Sequence, residues 1–369
     1  MKIEHIEAIA VDIPLAKNFG GSTYDVLKRS TVITKLRTSD GSQSLVYNGD
    51  NREHGIDIAN IIEQELAPLV VGRDPFAYER HWETMFALSK PNRDRKLLLE
   101  AIACVDCAIW DVMGRITGRS VNDLLGGYRK EMPLISIGGY YMDGKTEADI
   151  AAEMRMYEEA GMAGCKFKVG GLTPEEDAER VRVARHSVSD SFVLAVDANR
   201  GWTAPDAIRF ARLTGDLDIA WFEEPCIWYD DVAECARVRQ QCSIPITSGQ
   251  SEFTVQGVRR FIDAGAVDIV NYDVSEGGGV TDWRRAAALC SATGLQMTHH
   301  EESQISQHLL SAIPHGLYIE CFGDPERDPV WHKMWSNRPA LTDGKMPITP
   351  GPGFDLEFDE AMIEQFRVN

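Results

Sequence analysis

The chain has no excess of positive charge: 38 Lys and Arg stand against 57 Asp and Glu, a formal net charge of −19. Nucleic acids and anionic membrane surfaces call for a basic footprint, so neither is an expected partner. No stretch approaches the roughly 20 apolar residues of a membrane helix, and the start MKIEHIEAIAVDIPL lacks a basic segment followed by an apolar one. A cytoplasmic location is therefore expected. Cysteine is sparse, with 8 in 369 residues, scattered through apolar segments as reduced, buried thiols would be. Cys104 and Cys107 form a C-x-x-C, but inside a helical pattern and without a second pair, which argues against a zinc or redox site. There is no G-x-S-x-G elbow of the kind that exposes a hydrolase serine.

What the chain does have is length and order. At 369 residues it exceeds the size at which one core stops growing, so two units are expected. Residues 1 to about 50 alternate apolar and polar, with the turn signal SDGS at 39–42, and read as an antiparallel sheet. Helical periodicity follows over about 55–67, 76–88 and 95–117. Strands then helices in blocks indicate an α+β domain over 1–128. From 129 to 329 strand and helix alternate, as in a β/α barrel, and 330–369 is expected to pack back on the first domain.

Within the alternating region, short apolar segments end in a polar or charged residue at steps of about twenty to thirty residues. The endings are Lys166 and Lys168, Asp197, Glu223, Gln250, Asp273, His300 and Glu320. Catalytic groups of parallel β/α barrels sit at these C-terminal strand ends. Strand parity supports the grouping, since Cys165, Phe167 and Val169 alternate with the two lysines, and Leu194 and Val196 precede Asp197.

The series AIACVDCAIWDVMGRITGRSVNDLLGG (101–127), KFK, VDAN (196–199), WFEEP (221–225), GGGVTDWRRAA (277–287) and His300 resembles the enolase superfamily in its mandelate racemase subgroup. The resemblance implies a modified TIM barrel of (β/α)7β type under an α+β capping domain. It further implies Mg²⁺, or Mn²⁺ in its place, held by Asp197 and Glu223, and abstraction of a proton next to a substrate carboxylate. Lys166 would add positive charge at that carboxylate, and Lys168 would be a base, its pKa lowered by a second ammonium and the metal. His300, oriented by Asp273, would be the acid or base on the opposite face, and Glu320 would hydrogen-bond the substrate. A small-molecule carboxylate and a symmetric homo-oligomer are the implied partners.

One position departs from the pattern. The third metal ligand of the family is Glu, whereas IPITSGQSEFT places neutral Gln250 there, with Glu252 two residues on as an alternative. Asn199 is expected beside the substrate, and lid loops KNFGGSTY (17–24) and YNGDNREHG (47–55) bring Tyr24 and Arg52 toward it. With bases on both faces the outcome is either racemisation or dehydration. The Lys and His–Asp pattern is common among acid-sugar dehydratases of the resembled subgroup, so the resemblance implies dehydration of a sugar acid to a 2-keto acid, and the polar loops suit a polyhydroxylated substrate. A metal-deficient binding relative is the alternative outside enzymology.

Overall fold

The sheet-forming start of the chain follows its alternation: in the computed structural model, which describes residues 1–50 and 53–369, three antiparallel strands run in the order β1 (Ile3–Gly20), β2 (Asp25–Thr38), β3 (Gln43–Asn48). Helices at Gly55–Ile61, Tyr78–Phe86 and Arg95–Thr117 follow. The last of these is buried along most of its length, capped at its start by Asp94 and ended by left-handed Gly118.

From Glu131 the chain builds a barrel. Strands β4 (Glu131–Gly138), β5 (Gly164–Lys168), β6 (Val193–Asp197), β7 (Ile219–Glu223), β8 (Ile246–Ser248), β9 (Ile269–Val270), β10 (Gln296–Met297) and β11 (Ile319–Cys321) are parallel and lie in the order β10-β9-β8-β7-β6-β5-β4-β11. The ring closes where Met297 donates to the carbonyl of His315 and accepts from the amide of Leu317, at 2.8 Å each. One helix follows each strand from β4 to β9, and the helix Ser303–Ser311 joins β10 to β11. No βα unit follows β11; β12 (Lys345–Pro347) instead pairs antiparallel with the outer end of β4. This is the (β/α)7β arrangement. No helix among the described residues is long and apolar enough to cross a membrane.

Side-chain parity sorts the strands. Cys165, Phe167, Leu194, Val196 and Phe222 join the core under the helices, while Ile135, Ala195, Trp221 and Ile269 form a separate cluster inside the barrel. That inner plug is a floor for the polar strand ends above it. The eight cysteines are free, and all but half-buried Cys242 are buried.

The long helix of the first domain is joined to the barrel helix Gly279–Thr293 by the glycine run of GGGVT. Gly279 has φ +78°, and a Cβ there would lie 2.6 Å from the side chain of Asp106 on the long helix. The close approach lets Asp106 accept from the Thr281 amide at 2.8 Å and its hydroxyl at 2.7 Å. A Cβ on Gly277 would likewise meet the Tyr272 hydroxyl oxygen at 2.3 Å. The tail after β11 contacts β1: Ile363 packs with Ile9, Val11 and Ile13, and Arg367 bridges Val11.

Gly279→Ala is expected to destabilise by roughly 2–4 kcal/mol, combining left-handed strain with overpacking. Gly118→Ala, also at positive φ but with open space around its Cβ, is expected to cost only about 1–2 kcal/mol. Paired denaturant titrations of the two variants check this.

Candidate active site

Strand β5 delivers two lysines to the barrel interior two residues apart, because alternate residues share a face. Lys166 is wholly buried, and its Nζ donates to Glu223 Oε1 at 2.6 Å and Glu320 Oε2 at 2.8 Å, with Asp197 Oδ2 at 3.9 Å. Lys168 Nζ donates to Asp197 Oδ2 at 2.8 Å and to Asn199 Oδ1 at 2.9 Å. The Asn199 amide returns to Asp197 Oδ1 at 2.8 Å. Trp221, on the same face as Glu223, donates its indole N–H to Glu223 Oε2 at 3.1 Å. The barrel floor and the carboxylate it supports are thus one unit.

Burial and charge pull these groups in opposite directions. Glu223 is pushed up to about 8, chiefly by burial, with Asp197 and Glu320 adding to the rise and Lys166 opposing it. Asp197 is lowered: burial acts against its charge, but Lys168 and Lys166 outweigh it. Burial favours the neutral form of Lys168, but Asp197 at 2.8 Å holds the group well above its usual value. The expected lowering rests on the metal as well as the second ammonium.

The opposite wall is built from β9 and β10. His300 Nδ1 lies 2.8 Å from Asp273 Oδ2, and Asp273 Oδ1 is fixed by the amides of Ser275 at 2.6 Å and Glu276 at 3.3 Å. His299 is a brace: its Nε2 accepts the Val274 amide at 3.0 Å, so the proton sits on Nδ1, which donates to the His300 carbonyl at 2.8 Å. Burial lowers its pKa and keeps it neutral.

Gln250 is buried, and its amide clasps Asn271: the Gln250 N–H donates to Asn271 Oδ1 at 3.1 Å, and Asn271 Nδ2 donates to Gln250 Oε1 at 3.0 Å. The carboxylate of Glu252 is turned instead to Arg260 on the next helix, at 3.0 Å. Tyr24 comes over Lys168, its ring centroid 5.8 Å from Nζ, and Tyr140 after β4 lies at 5.9 Å. The Ser22 hydroxyl docks that lid loop on the Ala198 carbonyl at 2.6 Å. Arg52 lies outside the described residues.

Several site groups escaped sequence reasoning. Glu224, buried and left-handed at φ 39°, accepts the Ser251 hydroxyl at 3.0 Å and faces Arg200 at 3.5 Å. Glu301 lies against His300 Nε2 at 3.3 Å. Arg29 and Arg327, both buried, bind Asp50 of the second lid loop, and Arg29 also holds Asp328 at 2.9 Å. The doubled acids of WFEEP and HHEES, placed just past strand ends, were the available signal for Glu224 and Glu301.

In their donor chemistry, Asp197, Glu223 and Gln250 suit a hard divalent cation, which takes carboxylate and amide oxygens. Charge agrees: among the described residues, the ion pairs of the three carboxylates Asp197, Glu223 and Glu320 are with the two ammonium groups of Lys166 and Lys168. Oε1 of Glu320 and the hydroxyls of Thr247 and Thr298 are buried with no hydrogen-bond partner among the described residues, as polar atoms awaiting a ligand would be.

Comparison with known proteins finds the same family and fold along the chain. Residues 6–126 match the mandelate racemase/muconate lactonizing enzyme N-terminal domain, and residues 149–362 match the enolase C-terminal domain-like family. A mandelate racemase/muconate lactonizing enzyme from a marine actinobacterium, crystallised in complex with magnesium, is 42% identical with a TM-score of 0.93, covering 100% of this chain and 99% of that one. The 3,6-anhydro-alpha-L-galactonate cycloisomerase of Streptomyces coelicolor is 31% identical over 97% of this chain and 98% of its own length. Arabinonate dehydratase of Saccharolobus solfataricus is 27% identical over 91% of this chain and 90% of its own. The chain is an enzyme of the enolase superfamily and belongs to its mandelate racemase/muconate lactonizing enzyme family.

Proposed function

We propose that the chain dehydrates a sugar acid to a 2-keto-3-deoxy acid, taking the α-proton of a carboxylate substrate with Mg²⁺ held by Asp197, Glu223 and Gln250. The observation that carries the reading is the pairing of a buried lysine with a buried His–Asp dyad at one barrel end, beside an unpartnered Glu320 oxygen. Similarity to an arabinonate dehydratase supports the reaction class, and the magnesium-bound structural relative supports the ion. When bound, Mg²⁺ supplies the concentrated positive charge against which an enolate can develop.

The residues divide the work. Lys166 places a fixed cation between Glu223 and Glu320, where the substrate carboxylate would come. Lys168 accepts the α-proton in its neutral form, so substrate binding beside Asn199 must loosen its pair with Asp197. The C–H electron pair passes into an enolate, which then expels the β hydroxyl as its C–O bond breaks, and His300 gives its Nε2 proton to that hydroxyl, which leaves as water. The enol that remains tautomerises to the 2-keto acid. Tyr24 and Asn199 flank Lys168 and are the groups placed to read the substrate's hydroxyls.

A second reading has its own support: of the two named enzymes compared by sequence, the cycloisomerase is the more similar. An isomerase conserves the mass of its substrate, whereas a dehydratase loses water.

Two measurements test these assignments. In D₂O with Mg²⁺ and a panel of sugar acids, proton NMR is expected to show α-proton loss together with a 2-keto product. Lys168→Ala is expected to abolish exchange, while His300→Asn keeps exchange but loses product formation by about 10²–10⁴-fold. Exchange with inversion and no product would shift the reaction to racemisation, and a product of unchanged mass to cycloisomerisation. For the ion, calorimetry is expected to show Gln250→Glu binding Mg²⁺ about 10-fold or more tighter, since a carboxylate replaces a neutral amide. Glu252→Gln is expected to leave Mg²⁺ affinity unchanged, and a comparable loss there would move the third ligand to Glu252.

A further inference from the structure

After β10 the chain makes an uncommon turn. Glu301 and Glu302 both adopt left-handed backbone conformations, at φ 53° and 52°, without a glycine. Each such residue costs roughly 1–2 kcal/mol, a strain that persists only when surrounding contacts hold it. The contacts are there. Glu302 accepts from the Gly49 amide and the Ser275 hydroxyl, and the Glu301 amide donates to Glu320 Oε2 at 3.0 Å.

The turn sets the Glu301 carboxylate against the imidazole. Its Oε1 lies 3.3 Å from Nε2 of His300, while Asp273 Oδ2 lies 2.8 Å from Nδ1. An ionised carboxylate only accepts hydrogen bonds, so a ring flanked by two of them on its two nitrogens is satisfied with protons on both.

We propose that Glu301 is a positioning residue that holds His300 as the imidazolium, so that this wall of the site begins each turnover as an acid. The inference deepens the dehydratase reading, because departure of a hydroxyl needs an acid there, whereas a racemase would also need this wall to act as a base.

The surrounding charges are consistent with that role. Lys166 disfavours the imidazolium, and burial does so more strongly, but Glu301 and Asp273 outweigh both and hold His300 well above its ordinary value. Glu224 also faces the ring, and Glu276 approaches the dyad within 4.8 Å while paired to Lys96 at 3.2 Å. Around Glu301 itself stand Asp50, Arg327 and Lys168. Burial and Asp50 push its carboxyl up to about 7, and His300, Arg327 and Lys168 act the other way.

The sign follows directly. A charge that raises the folded-state pKa of a histidine extends the imidazolium to higher pH, so removing it shifts the titration downward. NMR titration of the His300 ring in the Mg²⁺-loaded, substrate-free chain, assigned by comparison with His300→Asn, is the test. Glu301→Gln keeps the shape and removes the charge, and is expected to lower the His300 midpoint by about 1 pH unit or more. Glu301→Asp, which keeps the charge, is expected to restore at least half of that shift. A Glu301→Gln midpoint indistinguishable from that of the unaltered chain would overturn the proposal, as would equal shifts in the Gln and Asp variants. Because this readout needs no turnover, it stands apart from failure of the dehydratase reading, which would show as absent product in the unaltered chain. With an active substrate, the high-pH limb of kcat/KM in Glu301→Gln is expected to move down with the NMR midpoint; an unmoved limb would also count against the assignment.

Discussion

A lysine with no access to water governs this site. Lys166 is encircled by Glu223, Glu320 and, at longer range, Asp197, and removing its ammonium would leave Glu223 and Glu320 buried without that compensation. The barrel gathers the groups from four different strands and the floor beneath them is apolar, so the charges cannot relax into solvent. What the fold stabilises is therefore a concentrated, nearly balanced set of opposite charges. A substrate carboxylate and a divalent ion are the natural additions to such a set, because each meets charge already oriented toward it.

Backbone strain is concentrated in the same place. Asn199, Arg200, Glu224, Glu301 and Glu302 all have positive φ, and all lie just past barrel strands. At each point the chain leaves a strand while keeping a side chain pointed over the barrel mouth. The first-domain loops then close on these turns, with Ser22 on Ala198 and Gly49 on Glu302. Cap and barrel are thus joined through the segments that bear the functional groups, and either unit alone would lack part of the wall.

Much of this was legible because a strand has a period of two and a parallel barrel has one catalytic end. Lys166, Lys168, Asp197 and Glu223 could be placed on one face from their spacing, and the apolar partners between them marked the other face. Ionisation was less legible. The second ammonium beside Lys168 is visible in KFK, but the nearness of Asp197 depends on the register between β5 and β6, which aligns Lys168 with Asp197 and which sequence does not print. Gln250 and Glu252 share parity, so alternation could not separate them; in the fold the Glu252 carboxylate pairs with Arg260, a residue of the following helix. Glu301 was hidden for a different reason. Parity reasoning ends where the strand ends, and only a left-handed turn brings the residue after His300 back over its ring.

The buried salt links of the second lid loop carry a consequence for how the protein is made. Arg29 reaches Asp328 across 299 residues of sequence, and Arg327 reaches Asp50 across 277. During synthesis the capping sheet leaves the ribosome first, yet Asp50 waits for Arg327 until the whole barrel has been translated. The chain must hold an unfinished, charged lid through nearly the entire elongation time, and long-range closures of this kind are slow and exposed to mispairing. The catalytic mouth is therefore among the last parts of the molecule to exist, and truncated products of translation would carry the cap without ever acquiring a site.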